Sequence, residues 1–114
     1  MTGLSTHVLD LVSGQPAHGV AVRLEYDGSV ASEYITDSDG RCAGLLKGAS
    51  LLPGAYRLVF SVGAYFRRQG HVKDVDSPPF FDDVVVDFNI TDSTRSYHVP
   101  LLVSPYGYST YRGS

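Results

Sequence analysis

Apolar residues recur at every second position in short runs along most of this 114-residue chain, and turn-forming residues separate the runs. That period belongs to half-buried strands whose alternate side chains face a core. Leu4 to Leu11 is the first run. Val20, Val22, Leu24 and Tyr26 then alternate with Ala21, Arg23 and Glu25 as far as an Asp27-Gly28 turn. Glu33 to Thr36 predicts a short strand closed by Asp37-Ser38-Asp39-Gly40, and Arg41 to Leu46 predicts a strand closed by Gly48. After Pro53-Gly54, Tyr56, Leu58, Phe60 and Val62 alternate with Arg57, Val59 and Ser61. Ala64 to Gln69 has no such alternation and suits one or two helical turns ended by Gly70. Beyond Ser77-Pro78-Pro79, the residues Val84, Val86, Phe88 and Ile90 form an inward set. Tyr97 to Val103 and Tyr108 to Arg112 predict the last two strands. Pro100 has no N–H to give, which predicts an edge position or a bulge in the strand that carries it.

Eight short strands, turn-rich links and one short helix point to an all-β chain folded as an antiparallel β-sandwich. The length is that of one domain, spanning 1–114. No repeat, linker or low-complexity tract interrupts it. Hydrophobic content of 43% against 18% charged fits a packed core and not a disordered chain. The net charge is −3 and there is no basic stripe, so nucleic acid is not an expected partner. No apolar stretch approaches the roughly 20 residues of a membrane span. The first residues show no secretory pattern, and a single cysteine, Cys42, allows no internal disulfide. A cytoplasmic location is the resulting expectation.

The end of the chain is unusual. Ser104-Pro105-Tyr106-Gly107-Tyr108-Ser109-Thr110-Tyr111-Arg112-Gly113-Ser114 is rich in β formers, yet too polar for an ordinary core strand. It reads as a strand displayed at a site. His7 lies on the opposite face from Val8, and His98 opposite Tyr97, Val99 and Leu101, so both rings leave the core side. A histidine titrates near neutrality and can take or give a proton. Taken alone, two such histidines are more often surface residues than a catalytic pair, and that alternative stays open at this level. Arg41, after the Asp39-Gly40 turn, could fork to a carbonyl or carboxylate group; as a lone residue it reads better as a solvated surface arginine.

Other chemistry finds little support. Asp37, Asp39 and Gly40 only faintly resemble a calcium loop, because Ile35 stands at the first ligand position and the closing glutamate is missing. The four histidines and Cys42 show no zinc spacing, and His18 and His71 read as loop residues. There is neither a P-loop nor a Gly-x-Ser-x-Gly elbow. Ser114, with no local base, suits hydrogen bonding better than nucleophilic attack.

Three stretches together carry a family resemblance: Ser5-Thr6-His7-Val8-Leu9-Asp10, the Asp39-Gly40-Arg41 turn, and Tyr97-His98-Val99-Pro100-Leu101-Leu102 running on to Tyr111-Arg112-Gly113-Ser114. With them the chain resembles the 5-hydroxyisourate hydrolases, the transthyretin-like enzymes of purine breakdown, over essentially its whole length. The resemblance implies a transthyretin-like sandwich of two four-stranded sheets with a short helix after the fifth strand. It implies a homotetramer, a dimer of dimers, with sites in a channel between subunits, and no metal or organic cofactor. The implied reaction is hydrolytic opening of 5-hydroxyisourate to 2-oxo-4-hydroxy-4-carboxy-5-ureidoimidazoline. Carried over by position, His7 and His98 match the catalytic histidines and Arg41 the substrate-binding arginine, while Tyr111 and Ser114 match the C-terminal contacts. His7 is the expected base and His98 the orienting group.

Two other readings compete. A transthyretin-like carrier would hold a small aromatic ligand in the channel, and eight tyrosines could stack one. Against it stands the polar set His7, Arg41, His98 and Ser114, since a carrier channel favours more apolar walls. The other is a structural β-sandwich module from a larger assembly, against which the site-like terminal motif argues.

Overall fold

Strict alternation over eight residues makes β1 (Gly3–Asp10) a two-faced strand: Leu4, Thr6, Val8 and Asp10 are buried, and the residues between them are half-buried. The computed structural model describes residues 3–42, 44–46, 48–71 and 77–113. In chain order the further elements are β2 (Gln15–Pro16), β3 (Ala21–Tyr26), β4 (Ser29–Ile35), β5 (Gly54–Phe60), α1 (Val62–Arg68), β6 (Val84–Ile90), β7 (Ser96–Ser104) and β8 (Gly107–Thr110). They form two four-stranded sheets, ordered β2-β1-β7-β8 and β4-β3-β5-β6.

The core lies between the sheets. Val8, Leu101 and Val103 from one sheet meet Val22, Leu24, Leu58, Phe60, Val84 and Ile90 from the other, all at most 2% exposed. The buried polar groups are all engaged. Thr6 Oγ1 donates to Val99 O at 2.6 Å. Thr36 Oγ1 donates to Ala17 O and accepts the N–H of Val20. Asp10 Oδ2 accepts the Tyr65 hydroxyl at 2.8 Å, while its Oδ1 accepts the N–H groups of Val12 and Ser13. That carboxylate ties the end of β1 to α1. The helix ends as expected at Gly70: His71 N–H donates to Phe66 O and Gly70 N–H to Arg67 O, which is a Schellman closure.

The two-sheet sandwich expected from the pattern is present, but three details differ. Arg41–Leu46 is not a strand. Arg41 makes a single antiparallel pairing with His7, and Gly44 to Leu46 is a turn. Its buried residues Cys42 and Leu45 stand three apart, a spacing no strand face uses. The eighth strand is instead the two-residue β2, too short to show a period. Next, β1 and β7 pair in parallel, with Ser5 opposite His98 and His7 opposite Pro100.

Lastly, Pro100 lies in an interior strand, not at an edge. His98 O and Pro100 O both accept from the β8 side, from Gly113 N–H and Thr110 Oγ1 respectively. The missing Pro100 N–H therefore faces the same side, where continuous pairing stops at Thr110. The gap in the ladder accommodates the proline within the sheet.

Candidate active site

The parallel β1–β7 register puts the outward residues Ser5, His7 and His98 on one face of the sheet. The Ser5 hydroxyl and Nδ1 of His98 share a hydrogen bond of 2.8 Å. This fixes the ring and leaves Nε2 for other work. Both histidines are half-buried, as alternation predicts.

Arg41 arrives from a turn that is locked locally. Asp37 Oδ1 accepts the N–H groups of Asp39 and Arg41, Gly40 N–H donates to Asp37 O, and Asp37 N–H donates to Arg41 O. These bonds, with that to Arg41 first, hold the Asp37 carboxyl below its ordinary range. The turn docks on the edge of β1 through Val8 N–H to Gly40 O at 2.8 Å. Gly40 has φ +73°, and a Cβ there would stand 2.5 Å from Val8 O. Only glycine lets the turn come this close. The docking brings Arg41 into its pairing with His7.

The terminal segment closes the other side. Gly113 pairs with His98, its N–H donating to His98 O at 2.7 Å. The frame set by Leu101 opposite Thr110 and His98 opposite Gly113 puts Tyr111 opposite Pro100. Tyr111 is exposed. Ser114 lies outside the described residues.

The electrostatics suit a neutral imidazole. Burial, then the Arg41 cation, then His7 push the pKa of His98 below its ordinary 6.5, opposed by hydrogen bonding to the Ser5 backbone. His98 thus stays unprotonated at neutral pH and offers a lone pair at one nitrogen. Cys42, beside Arg41 in sequence, is buried, and burial lifts its thiol to about 11, so it is no thiolate. His18 and His71 are exposed and take no part. Among the described residues, no three His, Cys, Asp or Glu side chains gather as a metal site.

Three of the residues singled out from sequence, His7, Arg41 and His98, thus converge around one pairing of strands. Sequence pattern gave Ser5 and Gly113 no separate role. Ser5 shares its face with His7 by simple parity, which was the available signal.

Residues 4–113 match the HIUase/Transthyretin family. The chain belongs to this family. It is 49% identical to a 5-hydroxyisourate hydrolase of Caulobacter vibrioides, over the whole of both chains. The structure of Klebsiella pneumoniae 5-hydroxyisourate hydrolase superposes with a TM-score of 0.84 at 38% identity, again covering both chains fully. Sea bream transthyretin, solved in complex with thyroxine, gives a TM-score of 0.83 at 31% identity over 96% of this chain and 93% of that one. The HIUase/transthyretin fold therefore hosts hydrolases and a thyroxine binder alike, and the site decides between them.

Proposed function

We propose that this protein hydrolyses 5-hydroxyisourate to 2-oxo-4-hydroxy-4-carboxy-5-ureidoimidazoline in urate degradation, using water activated by histidine. The observation that carries the reading is the convergence of His7, Arg41 and a neutral, anchored His98 on one sheet face.

Water adds through its oxygen to a ring carbonyl carbon, the adjacent C–N bond breaks, and the ring nitrogen leaves with a proton. His7 takes the proton from the attacking water. His98, held at Nδ1 by Ser5, orients the water and substrate through Nε2. Arg41 neutralises the charge that grows on the carbonyl oxygen. Tyr111 and Ser114 hydrogen-bond the edges of the heterocycle. The mechanism uses water and side chains of one domain spanning the chain, with no metal or organic cofactor.

The same proposal includes a homotetramer in which the outer face of the β2-β1-β7-β8 sheet lines a channel between subunits. It also places the protein in the cytoplasm. No helix among the described residues is long and apolar enough to cross a membrane. A carrier of a small aromatic ligand is the weaker reading, because two histidines and an arginine sit where such a ligand would need apolar walls.

The test generates 5-hydroxyisourate from urate with a urate oxidase and follows its near-ultraviolet absorbance. The protein should speed the decay far beyond the spontaneous rate. His7→Ala and His98→Ala should each remove about 10²–10⁴-fold of that acceleration while thermal unfolding stays cooperative. Decay at the background rate with folded wild-type protein would shift the choice to the carrier.

A further inference from the structure

Arg112 has no part in the chemistry above, yet its guanidinium carbon stands 4.6 Å from the centroid of the Tyr97 ring. Tyr97 is a fixed platform: it is buried, its hydroxyl donates to Asp92 O at 3.0 Å, and the same oxygen accepts Asp92 N–H. Tyr97 and His98 are neighbours on β7 and face opposite sides of the sheet. Arg112 and Gly113 repeat that arrangement in the terminal segment. The exposed Arg112 stacks on the Tyr97 ring, and Gly113 pairs with His98.

The segment needs such a hold. Continuous pairing between β7 and β8 stops at Thr110, because Pro100 offers no N–H there. Gly113 then returns to β7 through its N–H bond to His98 O. One backbone bond beyond a gap is a weak tether, and a cation over an aromatic face adds a second.

We propose that Arg112 is a positioning residue: stacked on Tyr97, it clamps the terminal segment across β7 and so holds Gly113 against the ring of His98. The proposal rests on the functional reading in one respect, that the placement of His98 matters for turnover. Gly113 stands so near the His98 ring that a Cβ on it would meet Cδ2 at 2.6 Å, so the clamp would also contribute to the ring's burial. The titratable and charged groups facing that ring are His7 from β1 and Arg41 from the docked turn.

The test compares wild type with Arg112→Gln and Arg112→Lys in three measurements. These are amide exchange at Gly113, the NMR titration of His98, and hydrolysis of 5-hydroxyisourate. In Arg112→Gln, Gly113 exchange should speed up about two- to fivefold, the scale of a cation over an aromatic face at an exposed site. The His98 pKa should rise toward the ordinary histidine value, and kcat/KM should fall to a similar degree. Arg112→Lys keeps a cation over the ring and should restore most of each. Unchanged Gly113 exchange in Arg112→Gln would overturn the clamp. So would a shifted His98 titration without faster exchange, since that is a direct effect of the lost charge. Exchange and titration are read without substrate. A wild-type protein inactive on 5-hydroxyisourate would therefore remove the functional reading and leave the clamp to stand or fall by itself.

Discussion

Gly113 lies so close to His98 that a Cβ on it would stand 2.6 Å from Cδ2 of the ring and 3.2 Å from Cγ. The restriction is one of space, since the ring has nowhere to retreat while Ser5 holds Nδ1. Gly113→Ala must therefore displace either the terminal segment or the histidine. Hydrolysis should fall at least about tenfold, the scale of a slightly misplaced catalytic group. Thermal stability should hardly change, because the segment is at the surface. Gly107→Ala is the control: its nearest neighbour would be Ser104 Oγ at 3.8 Å, an ordinary contact. Equal activity in the two variants would show that Gly113 does not constrain the ring.

The titration of His98 should follow its surroundings. Its pKa lies below 6.5 because of burial and neighbouring charge, so the ring is neutral from mildly acidic pH upward. NMR of the ring should show its proton taken up only as pH falls below 6.5. Ser5→Ala removes the side-chain bond at Nδ1 but keeps the Ser5 backbone, whose hydrogen bond is the one that opposes the depression. The ring should still titrate below 6.5, while turnover drops because the ring loses its anchor. Turnover equal to wild type in Ser5→Ala would contradict this account.

Much of this was legible in the residues, for physical reasons that also mark where legibility ends. Strands β3, β5, β6 and β7 declare themselves because alternate apolar residues in each turn toward the core. The same parity set His7 and His98 on outer faces. Their proximity was not legible, because the parallel pairing joins segments 93 residues apart, as in Ser5 with His98. Local alternation carries no partner information. Arg41 to Leu46 resembles a strand because apolar residues cluster there, but the Arg41 backbone is committed to the Asp37 turn and to a single pairing with β1, and Gly44 to Leu46 turns. Pro100 signalled an interrupted ladder. The interruption falls between β7 and the terminal segment and not at a sheet edge, which depends on strand order and not on local sequence.

Gly40→Ala should separate the docking of the turn from its chemistry. At φ +73° an alanine is strained, and its Cβ would press on Val8 O at 2.5 Å. The turn would lift from β1 and carry Arg41 away from His7. We expect about 1–3 kcal/mol of destabilisation from the backbone conformation, read by urea unfolding, together with a steep loss of activity. Arg41→Ala should lose activity with little change in stability, since the Arg41 side chain is exposed. If Gly40→Ala were fully active, the docked turn could not be what positions the arginine.

Tyr65→Phe tests the link between β1 and the helix. The Tyr65 hydroxyl donates to Asp10 Oδ2 at 2.8 Å, and both residues are buried. Deleting it leaves a buried carboxylate short of one donor, at a cost of about 1–3 kcal/mol. The bond also has a pH signature. Burial first, then the Asp10 carboxylate, raises the Tyr65 pKa from 10.0 to about 12. Above pH 10 the unfolded chain releases this proton while the native chain keeps it, so the native state binds more protons and stability falls as pH rises toward 12. Below pH 10 the contribution is whole. The urea midpoint of the wild type should therefore drop between pH 10 and 12, and that of Tyr65→Phe should drop less, its tyrosine hydroxyl being gone. Parallel declines in the two proteins would mean that other groups, not the Asp10–Tyr65 pair, govern alkaline unfolding.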